Sequence, residues 1–99
     1  MKIFLDDYRT LDDNSFERVG TYSQCVLLID VFGADLEMID LDYDLGSEKT
    51  GLDVLVYMDE HDIRPGRINI HSDHSEGMPA MRKFAEEHFP DSKVTTIGM

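Results

Sequence analysis

The stretch that most constrains the fold runs Met38-Ile39-Asp40-Leu41-Asp42-Tyr43-Asp44-Leu45-Gly46. It reads as a buried strand that passes directly into an acidic loop. A second apolar run, Lys2 to Leu5, passes in the same way into Asp6-Asp7. Carboxylates crowded together disfavour their own charged state unless something positive sits among them. If the two strands are parallel neighbours, their acidic ends meet at one edge of a sheet. That is the outline of a divalent-cation pocket.

The rest of the chain supplies the sheet. Met1 to Leu5 forms the first strand, with Ile3, Phe4 and Leu5 in a continuous apolar run that suits a strand covered on both faces. Asp6 to Ser15 is polar and turn-rich, and a short second strand spans Phe16 to Val19. Thr21 is placed to cap a first helix, on which Cys25, Leu28, Ile29 and Phe32 share one apolar face. Gly33 is expected to end it as a left-handed C′ residue. A third strand is expected from Leu36 to Leu41, a loop from Asp42 to Thr50, and a second helix from Leu52 to His61. Arg64-Pro65-Gly66 is a turn. A fourth strand covers Arg67 to His71, a third helix Pro79 to His88, and a fifth strand Lys93 to Ile97, with Pro90 ending the helix. This alternation implies a mainly parallel α/β sheet with helices on its faces. In such sheets ligands bind beyond the carboxyl ends of the strands, at a switch in strand order. Three polar clusters fall at those ends: Asp6-Asp7-Arg9, Asp42-Asp44, and His71-Ser72-Asp73-His74.

The chemistry follows from the residue types. Mg²⁺ takes hard oxygen ligands, typically carboxylates plus waters and phosphate, so Asp6, Asp7 and Asp42 are candidate ligands for Mg²⁺ or Mn²⁺. Asp44 is placed to hold a metal-bound water or take a proton. His71 can exchange a proton near neutral pH, and Ser72 can bond a phosphoryl oxygen. Arg9, the one base in this neighbourhood, suits phosphate or a carboxylate. His74 is expected to be exposed, and His61 and His88 to lie at helix ends without a site role. No Ser–His–Asp spacing is present, and Gly46 to Gly51 lacks the Gly-Lys-Ser/Thr ending of a phosphate-binding loop and carries an acid, Glu48.

Charge and cysteine content bound the partners. The 99 residues are read as one domain, with 21 acids against nine bases and a net charge of −12. That balance disfavours phosphate backbones, and the remaining bases are scattered in sequence, so no extended nucleic-acid surface is expected. One cysteine, Cys25, permits no internal disulfide and fits a cytoplasmic setting. No apolar run is long enough to cross a membrane.

Leu5-Asp6-Asp7-Tyr8-Arg9, Leu41-Asp42-Tyr43-Asp44-Leu45-Gly46 with Thr50-Gly51, and Ile70-His71-Ser72 together resemble the cyclic-phosphate processing receiver domains. The resemblance spans Met1 into the third helix. It implies a compact receiver-like (flavodoxin-like) three-layer sandwich, with a mainly parallel five-stranded sheet of order 2-1-3-4-5 and the first crossover helix reduced or absent. It further implies that Asp6, Asp7 and Asp42 take metal-binding and phosphoacceptor roles and that Ser72 matches the receiver's strand-four hydroxyl. Arg9, Asp44 and His71 are the additions that turn a phosphoacceptor into a phosphoester-processing site. Tyr43 replaces the family's histidine, and His74 stands where an amide is common. Gly98 and Met99 occupy the region of the receiver's strand-five lysine, with Lys93 at the strand's start, which argues against two-component signalling. Three readings follow. One is metal-dependent processing of a phosphoester, on a phosphate-bearing small molecule or a nucleotide or RNA end. The second is a non-catalytic Mg²⁺-binding or phosphoacceptor module, and the third an acidic protein-interaction domain.

Overall fold

The computed structural model describes residues 1–97. The elements are β1 (Lys2–Leu5), β2 (Phe16–Val19), α1 (Tyr22–Phe32), a 3₁₀ turn (Gly33–Asp35), β3 (Met38–Leu41), α2 (Gly51–Glu60), β4 (Arg67–His71), α3 (Gly77–His88) and β5 (Lys93–Ile97). All five strands are parallel, in the order β2-β1-β3-β4-β5, as the resemblance implied. The order reverses between β1 and β3, which brings the ends of β1, β3 and β4 side by side.

The connections decide where the helices lie. From β2 to β3, β3 to β4 and β4 to β5 the chain steps in one direction across the sheet. Right-handed crossovers then place α1, α2 and α3 on the same face. The core confirms it. Ile3, Leu5, Ile39, Leu41, Ile68 and Ile70 point to that face and pack with Cys25 and Ile29, with Val54, Leu55 and Met58, and with Met81, Ala85 and Phe89. The one step in the opposite direction, β1 to β2, is made by the loop 6–15, so the expected reduction of the first crossover helix is complete. Arg18 pins this loop by donating Nε and Nη2 to the Arg9 carbonyl at 3.1 and 2.9 Å. Among the described residues the second face carries this loop and no helix, so the third layer of the sandwich is thin.

Local sequence explains most boundaries. Thr21 caps α1, its hydroxyl accepting the Gln24 N–H at 3.1 Å. The Asp53 carboxylate caps α2 from inside, accepting the Thr50 N–H at 2.8 Å. Gly33 is not a left-handed cap: with φ −56° it continues into the 3₁₀ turn. That turn holds Leu36 in the core, so β3 begins at Met38 rather than Leu36.

Candidate functional site

The site has a closed part and an open part. The closed part is a chain of buried polar groups. His71, at the end of β4, places Nε2 2.9 Å from Asp6 Oδ2 and Nδ1 2.5 Å from Asp40 Oδ1. Both ring nitrogens face carboxylate oxygens, an arrangement that favours the doubly protonated ring, in which both donate. Asp40 Oδ1 also accepts the Asn69 amide at 3.0 Å, and Asn69 Oδ1 accepts the Thr95 hydroxyl at 2.6 Å. Sheet register explains the alignment: Phe4, Asp40, Asn69 and Thr95 are direct cross-strand partners on β1, β3, β4 and β5. Phe4 stacks on His71, centroids 4.7 Å apart and planes within 3°, which favours a cationic ring. Every buried side-chain polar atom in this region has a partner.

Asp6 joins the closed part to the open one. It is fully buried, and its Oδ1 accepts the Tyr8 and Arg9 N–H groups at 3.0 and 2.8 Å, which fixes the turn after β1. Arg9 Nη1 lies 3.5 Å from Asp6 Oδ2 and 3.4 Å from Asp42 Oδ2, and its Nη2 lies 3.5 Å from Asp73. The guanidinium therefore bridges the loops after β1, β3 and β4.

The open part is a small pocket of about 160 Å³ lined by Asp7, Tyr8, Arg9, Asp42, Asp44, Gly46 and Asp73. Asp7 and Asp42 share it, which is the convergence expected of neighbouring strand ends. Asp44 Oδ1 accepts the Gly46 N–H at 2.9 Å, and Gly46 has φ +69°, a conformation natural to glycine. Ser72 is buried beside Asp42, and its Oγ accepts the His74 N–H at 3.1 Å. A larger cleft of about 480 Å³ at the other end of the sheet involves Arg64, His88 and Ser92. Asp62 and Asp91 line it, and its one arginine is already paired with Asp59 and Asp62.

Two glycines let the loops close over the site. A Cβ on Gly51 would stand 2.0 Å from the Asp42 carbonyl oxygen, so only glycine lets α2 start against the end of β3. A Cβ on Gly77 would stand 2.3 Å from the Tyr43 ring. Tyr43 is thus clamped between the start of α3 and His74, whose ring centroid lies 4.5 Å away. His74 is half-buried rather than exposed, its Nδ1 accepting the Gly77 N–H at 2.8 Å. Tyr43 and His74 act as packing at the site's back wall.

The titrating groups respond to this arrangement. For Asp6, burial raises the carboxyl, but the Tyr8 and Arg9 N–H bonds and then His71 outweigh it and hold it low. For His71, burial works against the charge, but the Asp40 hydrogen bond and charge, with Asp6 and Asp42, push it above its ordinary value. Asp42 is raised, by burial first and by the Asp6 charge second, against the pull of His71, Ser72 and the Tyr43 N–H. The two acids that meet at the cluster have been moved in opposite directions.

Of the residues singled out in the sequence, Asp6, Asp42 and His71 come together with ligand atoms within 4.8 Å of one another. Asp7, Asp42, Asp44 and Arg9 share the pocket. Sequence reasoning placed Asp73 in the cluster after β4 and missed Asp40, Asn69 and Thr95. No local signal marked these three: Asp40 and Asn69 interrupt apolar runs without any sign that they meet, and Thr95 sits beside another polar residue, Thr96.

A family model described as "Cyclic-phosphate processing Receiver domain" matches residues 1–87. The chain belongs to this family. Neither a curated protein nor a solved structure matches it. The receiver-like sheet order and a phosphoester-related role follow from membership. In the buried Asp6–Asp42–His71 group the carboxylate oxygens are the atoms that could hold a cation, since both His71 nitrogens are engaged by Asp40 and Asp6. No helix of the described residues is long and apolar enough to cross a membrane.

Proposed function

We propose that this receiver domain processes a phosphoester with the help of Mg²⁺ or Mn²⁺, opening a cyclic phosphate on a small nucleotide or RNA end. The observation that carries the reading is the pocket itself. Asp7, Asp42 and Asp44 bring three carboxylates to one small opening that also contains a guanidinium, and the pocket backs onto a buried cationic histidine.

The residues fit a hard cation, but unequally. Asp7 and Asp42 line the opening and come from adjacent strand ends, as octahedral oxygen coordination with several retained waters requires. Asp6 is already committed: both its oxygens accept bonds from Tyr8, Arg9 and His71. It therefore acts as the support on which Arg9 and His71 are held. A bound cation would neutralise phosphoryl charge and acidify a bound water.

The chain's own groups do the rest. Arg9 and Ser72 hold non-bridging phosphoryl oxygens. Asp44, exposed at the rim, accepts the proton of the attacking water. A new P–O bond forms, one ring P–O bond breaks, and Asp44 returns the proton to the ribose oxygen that leaves. His71 keeps its place in the reading with a changed role. Both its nitrogens are engaged and its ring is buried, so it serves as a fixed positive charge beneath Asp42 rather than as a proton carrier. The buried, unpaired Cys25 supports placing the domain in a reducing cytoplasm.

Turnover of 2′,3′-cyclic nucleotides with Mg²⁺, and its loss in Asp42→Asn and Asp44→Asn, is the expected result. Cation binding without turnover across a phosphoester panel, combined with acetyl-phosphate labelling of Asp42, would replace it with the phosphoacceptor reading, which the Asp42–Ser72–Arg9 arrangement also accommodates.

A further inference from the structure

The helix-free face of the sheet has an unexpected composition. Its first cross-strand row is Phe16, Lys2, Met38, Arg67 and Lys93, and Arg18 stands in the next. Four of the chain's nine basic residues, scattered in sequence, are thus brought to one face by register. No exposed acid lies on the strands of that face, so the rest of the molecule is more negative than its net −12. Lys2 has Asp13 nearby, and Arg18 is tied to the Arg9 carbonyl. Arg67 and Lys93 are exposed and enter no ion pair among the described residues. Half-buried Met38 on β3 and exposed Ile97 at the end of the edge strand β5 are apolar groups left open on the face, whose centre is the buried polar row of Asp40 and Asn69.

An all-parallel sheet is almost always covered on both faces, and the covering layer is helical. The same chain displays a surface of the matching kind. On α1, Leu27 and Val31 sit one turn apart and are 63% and 64% exposed, with Phe32 beside them at 42%. These three are half of the large exposed hydrophobic residues. Asp30 and Asp35, both exposed, flank the stripe. The α1 surface is apolar and acidic, and the open row of the sheet is basic around Met38.

We propose that the helix-free sheet face receives the outer side of α1 from a second copy of this chain. The contact is heterologous: sheet of one copy on helix of the next. Sheet on sheet is disfavoured, because it would set Arg67 and Lys93 against their own counterparts. Phe4, Asp40, Asn69 and His71 on this face are already buried, so the open footprint is smaller than the roughly 300 Å² of five strands about 4.8 Å apart by four or five residues at ~3.3 Å. That is well below the ~800 Å² per partner of a stable interface, so association is weak and depends on concentration. At physiological salt the Debye length of about 8 Å leaves the local pairing in place while damping repulsion between distant acids.

Sedimentation of the full chain from micromolar to millimolar concentration tests this. The wild-type protein is expected to show an average mass that rises with concentration and falls back in high salt. Arg67→Glu with Lys93→Glu, and separately Leu27→Asp with Val31→Asp, are each expected to stay monomeric at every concentration. All four positions are exposed, and circular dichroism confirms that each variant is folded. Should either double variant unfold, Lys93→Glu and Val31→Asp alone are expected to shift the association to higher concentration. Each double variant keeps one intact half, so an equimolar mixture is expected to form a one-to-one dimer and nothing larger. A wild type that is monomeric throughout overturns the proposal. So does a mixture that fails to associate, or self-association that only the α1 substitutions abolish, since that would mean helix against helix.

Discussion

Replacing Asp40 by Asn tests whether the buried imidazolium is real. The Asp40 oxygen that bonds His71 also bonds Asn69. Asparagine keeps that oxygen and the side chain's shape and removes only the charge. A hydrogen bond to a charged group contributes about 1.5–3 kcal/mol and a neutral one about 0.5–1.5, so the expected loss is about 1–2 kcal/mol. In a domain of this size that lowers Tm by roughly 5–15 °C. Asp40→Ala removes the partner outright and is expected to cost about 3–5 kcal/mol, comparable to the whole stability of a small domain. The sign with pH separates a charge effect from a packing effect. His71 is raised above its ordinary 6.5 in the folded protein, so its contribution is complete below that value and is lost as pH rises through the folded value. Thermal melts between about pH 5 and 9 should therefore show a gap between wild type and Asp40→Asn that is widest at low pH and narrows as the ring loses its proton. A gap that is constant across the range, or a Tm unchanged at low pH, would refute the doubly paired imidazolium.

Three further outcomes are expected. Gly77→Ala pushes a methyl into the Tyr43 ring and should destabilise by about 1–3 kcal/mol, read by urea denaturation, with the site disturbed as well. Mg²⁺ at a hundredfold excess over its dissociation constant should stabilise the protein by about 2.7 kcal/mol in a melting assay, and Asp7→Asn with Asp42→Asn should remove that gain. Burial pushes the Cys25 thiol up to about 12, so thiol reagents should react with it only as fast as the protein opens globally.

Much of the fold was legible because its punctuation is local. Pro65-Gly66 and Pro90 fixed the starts of β4 and β5, and Thr21 fixed the start of α1, since caps and breakers act within a turn; the Thr50 cap went unread, and α2 begins at Gly51 rather than Leu52. The start of β3 was misplaced because Leu36 is apolar for a reason that is not strand pairing. The acids at the strand ends were legible as a cluster because chain order already puts them after strands. Asp40 was not. Its partners Asn69 and His71 lie 29 and 31 residues away, and a lone acid within an apolar run carries no local mark of being buried. The basic face was hidden for the same reason: Lys2, Arg67 and Lys93 become neighbours only through register. Gly98 and Met99, in the region of the receiver's lysine, lie outside the described residues. Lys93 stands at the opposite end of β5 from the site.

The polar rung formed by Asp40, Asn69 and Thr95 also guards against misalignment during folding. Side chains alternate along a strand, so sliding β3 by a single position would drive the Asp40 carboxylate in among core residues such as Ile3 and Ile68 and strand the His71 charge without its partner. Short apolar strands of four or five residues could otherwise pair in several offsets at similar free energy. One carboxylate and its amide neighbour penalise the one-residue offsets, in which a charge would be trapped in oil.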